Sequence, residues 1–267
     1  MICLPNAKIN LGLHVVEKRR DGYHNLETVF YPIPLKDALE IVPASDFSFT
    51  QVGIALDSQP EDNLVMKALA LFREKYDIQP VSVFLKKAIP LGAGLGGGSA
   101  DAAFMLKLLN EYTTLNLSDE ELEKMAVELG ADCPFFIRNT PVVASGIGNI
   151  FESIELSLKG YILCIIKPNL FVSTKEAYTL VQPAKPSLSL REILPMPVEE
   201  WKHYLKNDFE SGVSQQYPVI SAIKSYLYDQ EAVYAAMSGS GSAVFGLFEK
   251  DVHLSFPDCF HWKGVLR

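Results

Sequence analysis

Residues 89–103, Ile-Pro-Leu-Gly-Ala-Gly-Leu-Gly-Gly-Gly-Ser-Ala-Asp-Ala-Ala, constrain the fold of this chain more than any other stretch. Five glycines fall between Gly92 and Gly98. The strand-like run Val81-Ser82-Val83-Phe84-Leu85 precedes them, and a helix-like run from Asp101 to Asn110 follows. Glycine admits positive φ and lets a ligand approach the backbone with no Cβ in the way. Successive free N–H groups opening onto a helix N-terminus make an anion site, because the orphan donors and the helix dipole point the same way. Phosphate is the natural ligand of such a turn. Ser99 adds a hydroxyl at the helix start, suited to capping, to a phosphate oxygen or to a metal ion.

Other readings of this stretch fit less well. A flexible linker would be polar, whereas this run is held between an apolar strand and an Ala-rich helix. The Walker loop ends in Gly-Lys-Ser/Thr, and here Gly98 is followed directly by Ser99. A dinucleotide fingerprint can be laid over Gly92, Gly94 and Gly97, but it belongs beside the first strand of its fold, and this loop lies well into the chain.

Charge and cysteine usage narrow the class. The 267 residues carry a net charge of −8, which argues against a general nucleic-acid binder. An anionic small substrate stays open, since local lysine placement matters more than the total. Cys3, Cys133, Cys164 and Cys259 are scattered without metal or redox spacing, which suits reduced thiols. The start of the chain lacks a signal-peptide pattern, and no apolar run reaches membrane-spanning length. The expectation is a cytoplasmic enzyme without a membrane or nucleic-acid partner.

From the N-terminus, Lys8 to Val15 alternates, with Ile9, Leu11, Leu13 and Val15 on one face and Lys8, Asn10, Gly12 and His14 on the other. That pattern predicts a half-buried strand whose open face is either plain surface or one wall of a site. Arg19-Arg20-Asp21-Gly22 is turn chemistry. Strands are predicted over 26–31, 38–42 and 47–52. A helix is predicted over 63–75, with Leu64, Ala68, Leu71 and Phe72 on one face. Ser118-Asp119-Glu120-Glu121 reads as a capping box opening a helix that ends at Gly130. Pro134 stops any helix there and leaves Asp132 as a carboxylate at an element junction beside Phe135 and Phe136. A strand is predicted at 142–144, then a loop with Gly146 and Gly148.

In the second half, 161–166 is a continuous apolar strand and 173–181 a short helix. The proline-rich 183–197 stretch reads as a loop with little regular structure. Helices are predicted at 199–205 and 218–228, strands at 233–237 and 243–248, with the small-residue loop Ser238-Gly239-Ser240-Gly241-Ser242 between those strands. Residues 256–267 read as a brief tail. Strands separated by helices suggest an α+β layer.

Phosphoryl transfer needs a cradle for nucleotide phosphates, a cation and a group that positions or deprotonates the acceptor hydroxyl. The glycine loop supplies the cradle, and Lys8 and Asp132 are the candidates for the rest. An Asp near a Lys stays ionised at neutral pH and can accept a proton, while the Lys stabilises an alkoxide-like oxygen. The sequence does not show that the two meet, and taken alone each is more often structural than catalytic.

Pro90-Leu91-Gly92-Ala93-Gly94-Leu95-Gly96-Gly97-Gly98-Ser99-Ala100 resembles the phosphate-loop signature of the GHMP kinase family, and the resemblance extends over nearly the whole chain. It implies an α+β fold of two lobes, here 1–154 and 155–267, the first similar to a domain of a ribosomal protein and the second ferredoxin-like. It also implies ATP and Mg²⁺. Ala7 to Leu13, Arg20-Asp21-Gly22-Tyr23-His24-Asn25-Leu26, Gly130 to Phe136, Asn207-Asp208-Phe209-Glu210 and Met237 to Ser242 resemble one branch of the family. That branch phosphorylates the 2-hydroxyl of a cytidine-diphosphate-linked methylerythritol on the non-mevalonate route to isoprenoid precursors.

Carried over motif by motif, Asp132 is the base or positioner and Lys8 its partner. Tyr23 and His24 hold the cytidine, a ring to stack and nitrogens to bond its edge, and Asn10 orients the substrate. Phe171 and Thr174 fall on a second wall of that site. Pro90, Gly92, Ala93, Gly94, Leu95, Gly96, Gly97, Gly98 and Ser99 surround the ATP phosphates, Ser99 being a possible Mg²⁺ ligand. Asn63 and Lys87 match the adenosine side, and Ser238 and Gly239 close near the triphosphate. Cys133 departs from the aliphatic residue common after the Asp. The alternatives are a homoserine or mevalonate kinase of the same family, against which Tyr23-His24 speaks, an RNA-binding module, and a nucleotide binder without turnover.

Overall fold

The computed structural model describes residues 1–54 and 60–267. Its elements in chain order are β1 (Ile2–Cys3), β2 (Asn6–Lys18), β3 (His24–Lys36), β4 (Ala38–Pro43), β5 (Ser48–Gly53), α1 (Leu64–Lys75), β6 (Val81–Lys87), α2 (Gly97–Thr113), α3 (Asp119–Leu129), α4 (Phe135–Arg138), β7 (Val142–Ser145) and β8 (Ile150–Ser153). They continue with β9 (Ile162–Pro168), α5 (Thr174–Thr179), α6 (Leu190–Ile193), α7 (Trp201–Tyr204), α8 (Asp208–Gln216), α9 (Val219–Asp229), β10 (Tyr234–Met237), β11 (Val244–Phe248) and β12 (Cys259–Val265). The chain divides into two compact units: Met1–Ala7, Leu35–Leu91 and Gly96–Thr140 form the first, and Lys8–Pro34, Gly92–Leu95 and Pro141–Arg267 the second.

In the first unit the sheet runs β1-β4-β6-β5, antiparallel except for the β5–β6 pair. Its period-two pattern buries Leu39 and Ile41 of β4 and Val81, Val83 and Leu85 of β6, while Phe84 faces out. Helix α2 packs against α1, α3 and α4 and is buried nearly all round, through Ala100, Ala102, Ala103, Met105, Leu106 and Leu109. Asn63 caps α1 by accepting from the Val65 amide at 2.9 Å. The buried face of α1 is Val65, Ala68, Leu69 and Phe72, one residue round from the expected Leu64 and Leu71, since tertiary packing fixes the stripe within the helical period. The Ser118–Glu121 capping box is present as expected.

The second unit holds two sheets, β2-β3-β7-β8 and β10-β11-β9-β12. The latter is antiparallel at each pair, and its core joins Ile166, Met237 and Val244 to Phe209 and Val213 of α8 and Ile220, Ile223 and Leu227 of α9. The sequence pattern missed α8, which lacks a long apolar stripe, and β12, whose alternate residues stay exposed at the sheet edge. The 183–197 stretch contains α6, opened by a Ser189–Glu192 capping box.

The reading of β2 as half-buried is corrected. Both faces are covered: Lys8 is 3 % exposed, Asn10 2 % and His14 6 %. The cover comes from the later chain. A Cβ on Gly12 would lie 2.6 Å from Leu205 and 2.7 Å from Leu190. Leu13 N–H donates to the Lys206 carbonyl at 2.9 Å, and Val15 N–H donates to Asp208 at 2.8 Å. Alternation in a strand reveals which side chains share a face, and only the fold decides what lies against that face.

Candidate active site

The predicted loop forms between β6 and α2. Helix α2 starts at Gly97 with Gly96 as its N-cap in the left-handed region (φ 69°), and no side chain caps it. The first-turn amides of a 17-residue helix are therefore available to an anion. Gly94 is required sterically: its φ is 73°, and a Cβ there would stand 1.9 Å from the Ser238 carbonyl oxygen. Pro90, Ala93 and Leu95 are buried, while Gly92 carries the ring of Phe171 over it, 2.3 Å from where a Cβ would be.

Within the second unit one hydrogen-bonded cluster ties β2 to the 92–95 segment and to the 238–242 loop. Lys8 Nζ donates to Asn10 Oδ1 at 2.5 Å and to the Gly94 carbonyl at 3.1 Å. The Lys8 ammonium also lies 4.7 Å from the centre of the Phe30 ring, a cation–π contact. Asn10 Nδ2 donates to Thr28 Oγ1 at 2.9 Å, and Asn10 N–H to Ser238 Oγ at 3.1 Å. Ser238, wholly buried, donates from its hydroxyl to the Gly94 carbonyl at 2.9 Å. Asn207 Nδ2 fixes the same loop, donating at 2.8 Å to the carbonyls of Met237 and Gly239. Thr28 has its positioning role although no sequence pattern marks it, and Asn207 falls in the 207–210 run, to which the sequence pattern assigned no role.

Within the first unit, the Ser99 hydroxyl is near enough to the Cys133 thiol to favour its thiolate, while burial, the larger influence, pushes the thiol up to about 11. Asp132 is the next residue back in that turn and is half-buried, so the start of α2 and the aspartate-bearing turn lie side by side. The turn is closed by Cys133 N–H donating to the Gly130 carbonyl at 3.1 Å, and Pro134 opens α4 at its N-cap. Lys87 ends β6 with its ammonium paired to Asp37 and, at 2.7 Å, to Asp101. Asn63 is taken up as the α1 cap and donates to Gln51 at 3.1 Å.

Tyr23 and His24 lie at the tip of the β2–β3 hairpin. The tip is built by Asp21, which accepts from Tyr23 N–H at 3.1 Å and pairs with Arg19 at 2.7 Å. The Arg19 hydrogen bond is the main reason that the Asp21 carboxyl sits below its usual range. Tyr23 is 61 % exposed. His24 stacks on Tyr178 of α5, with ring centres 4.7 Å apart and planes 15° apart. Partial burial, then Lys18, lowers the His24 imidazole pKa, which favours the neutral ring. Tyr178 in turn meets Phe209 edge-on at 4.9 Å. The aromatic residue beside His24 is therefore Tyr178, a residue the sequence reading passed over, while Phe171 lies over Gly92 and is 67 % exposed. Thr174, at the start of α5, shares a hydrogen bond with Ser240 at 3.3 Å.

A model of the N terminal domain of GHMP kinases matches residues 63–140, and a model of the C terminal domain of GHMP kinases matches residues 196–255. The chain belongs to the GHMP kinases. Over its whole length it is 60 % identical to the 4-diphosphocytidyl-2-C-methyl-D-erythritol kinase of Parabacteroides distasonis, which it covers completely. A crystal structure of 4-(cytidine 5'-diphospho)-2C-methyl-D-erythritol kinase superposes with a TM-score of 0.81 at 34 % identity, covering 93 % of this chain and 90 % of that one. The mevalonate kinase of Methanococcus jannaschii shares the fold, with a TM-score of 0.72 at 15 % identity over 100 % of this chain and 98 % of that one.

Proposed function

We propose that this kinase transfers the γ-phosphoryl group of ATP to the 2-hydroxyl of 4-diphosphocytidyl-2-C-methyl-D-erythritol, a step of non-mevalonate isoprenoid precursor biosynthesis. The observation that carries the reading is the 60 % identity, end to end, with a kinase of that name. The hairpin tip with Tyr23, and His24 stacked on Tyr178, supports a pyrimidine subsite: flat rings to stack a base and a neutral imidazole to bond its edge. The lobes are read as 1–154 and 155–267, and the two family-model matches fall one in each. A cytoplasmic setting belongs to this reading, and the net charge of −8 speaks against a nucleic-acid partner.

In this reading Gly92 to Ser99 hold the phosphates through backbone amides, with Pro90 and Asn63 at the nucleotide side and Lys87, buried and paired with Asp37 and Asp101, acting there from behind the loop. Asp132 orients the acceptor hydroxyl and takes its proton as the oxygen attacks. Lys8, held by Asn10 Oδ1 and the Gly94 carbonyl, steadies the negative charge that grows on that oxygen. Asn10, Ser238 and Gly239 fix the wall around the transfer, and Tyr23, His24, Phe171 and Thr174 hold the acceptor. Among the described residues no three His, Cys, Asp or Glu side chains gather as a metal cage. Mg²⁺ needs no such cage, because it keeps most of its waters and binds through substrate phosphates with one or two protein oxygens. Ser99 would supply such an oxygen, and the ion would neutralise phosphate charge.

ADP release measured with Mg-ATP and this acceptor, for wild type and Asp132→Asn, tests the reading. Turnover that collapses in the variant while nucleotide still binds supports it. Wild-type turnover on homoserine or mevalonate and none on the cytidine-linked acceptor would overturn the substrate.

A further inference from the structure

Beneath the phosphate loop lies a buried group of charges that the transfer itself does not use. Asp37, between β3 and β4, is 1 % exposed, Lys87 is 3 % and Asp101 2 %. Lys87 Nζ donates to Asp37 Oδ2 and, at 2.7 Å, to Asp101 Oδ2. Asp37 Oδ1 accepts from the amides of Ala88 at 2.5 Å and Ile89 at 2.8 Å. Asp101 Oδ1 has no partner.

Such a cluster is a poor way to gain stability. Its two carboxylates outnumber its one ammonium, one oxygen is left without a hydrogen bond, and burial of charge costs more than exposed pairing returns. Its placement is informative. Ala88 and Ile89 are the last residues before Pro90, where the loop begins, and Asp101 is about one turn into α2, where the loop has just ended. The same point therefore grips both ends of the loop. The ends also touch: a Cβ on Gly97 would lie 2.8 Å from Ile89 Cγ2 and 3.4 Å from Lys87 Nζ.

We propose that Asp37, Lys87 and Asp101 are positioning residues that fix the spacing between the two ends of the phosphate loop and thereby set its affinity for the nucleotide. The ammonium of Lys87 acts on the nucleotide through the loop. Amides preset in their binding geometry need no reordering when a triphosphate arrives, and a loop free to spread would have to be ordered at the expense of affinity. The proposal rests on the kinase reading for the identity of the ligand alone.

Asp101→Ala tests it, because Ala suits a helix and removes the unpaired carboxylate oxygen. Binding of a fluorescent ATP analogue is measured without acceptor, together with Tm and, in turnover, KM for ATP, KM for the acceptor and kcat. The expected result is a nucleotide affinity weaker by about 10-fold or more, with Tm equal to or above wild type and with kcat at saturating ATP and the acceptor KM little changed. A merely structural role would lower Tm and leave the affinity of the folded fraction alone. Wild-type nucleotide affinity in Asp101→Ala overturns the proposal. Lys87→Met serves as the second variant: if folded, it should lose affinity at least as far, and wild-type affinity there would overturn the proposal equally. If wild type binds nucleotide but fails on the acceptor, the substrate reading falls and this proposal is still decided by the binding arm.

Discussion

Ser238 and Gly94 are locked to each other. The Ser238 hydroxyl donates to the Gly94 carbonyl at 2.9 Å, and the Gly94 Cα faces the Ser238 carbonyl so closely that a Cβ would come within 1.9 Å of its oxygen. Residues far apart in the chain thus define one point of the site.

Gly94→Ala should be among the most damaging single changes in the loop. Its φ of 73° and the backbone clash cannot both be relieved by moving a side chain. A destabilisation of about 2–4 kcal/mol is expected, read as a lowered midpoint in chemical denaturation, together with loss of nucleotide binding. Near-wild-type values for both would mean that the 238–242 loop yields easily.

Lys8→Met separates chemistry from binding. The cation is held at a fixed place by Asn10 and Gly94. Removing it should lower kcat about 100- to 1,000-fold, with KM for ATP moved far less. Asn10 and Gly94 lose a buried partner, so a stability loss of about 1–3 kcal/mol accompanies it. Retained kcat would remove Lys8 from the reaction.

The two aromatic candidates make different predictions. Tyr178→Ala strips the ring stacked on His24 and should raise the acceptor KM by about 5- to 100-fold, in line with the roughly 1–3 kcal/mol that a stacked base contributes. Phe171→Ala, whose ring covers Gly92, should change the acceptor KM less. The reverse order would return the base to Phe171.

Asp101 gives stability a specific pH dependence. Burial, opposed by Lys87, lifts its carboxyl from 3.8 to about 7, and Asp37 from the β3–β4 connection adds to the rise. Cys3 of β1 also feels its charge, and its thiol, mainly through burial, is pushed up to about 12. The native state holds the Asp101 proton where the unfolded chain has released it. This group therefore costs stability increasingly as pH climbs from about 3.8 to about 7, and fully above that. Asp101→Asn, which mimics the neutral acid, should raise Tm at about pH 8 by several degrees, at about 2–4 °C per kcal/mol for a chain of this size. The difference should close towards pH 5. An unchanged gap across that range would show that Asp101 does not titrate there.

Much of the local geometry around the candidate site was legible because its signals are local. The phosphate loop follows from backbone chemistry that only glycine supplies, and the Ser118 cap and the Asp21-Gly22 turn from side chains bonding their near neighbours. The hairpin motif was legible through resemblance. Tyr178 was not, because a lone Tyr in a short amphipathic helix looks like any packing residue until His24 is laid on it. Asp37 and Asp101 were passed over for the same reason, being ordinary acids in sequence and a buried pair around Lys87 in the structure.

Local chemistry in the sequence carried most of the strands and helices and the glycine turn that opens α2, because hydrophobic period, glycine and capping act over a few residues, and motif resemblance carried the family. Tertiary structure decided which faces are covered and which polar groups meet: that the outer face of β2 is buried by Leu190 and Leu205, and that Asn10 shares hydrogen bonds with Ser238. Those pairings join residues hundreds of positions apart, and only the burial of apolar surface around them, which no local pattern encodes, brings them within hydrogen-bonding distance.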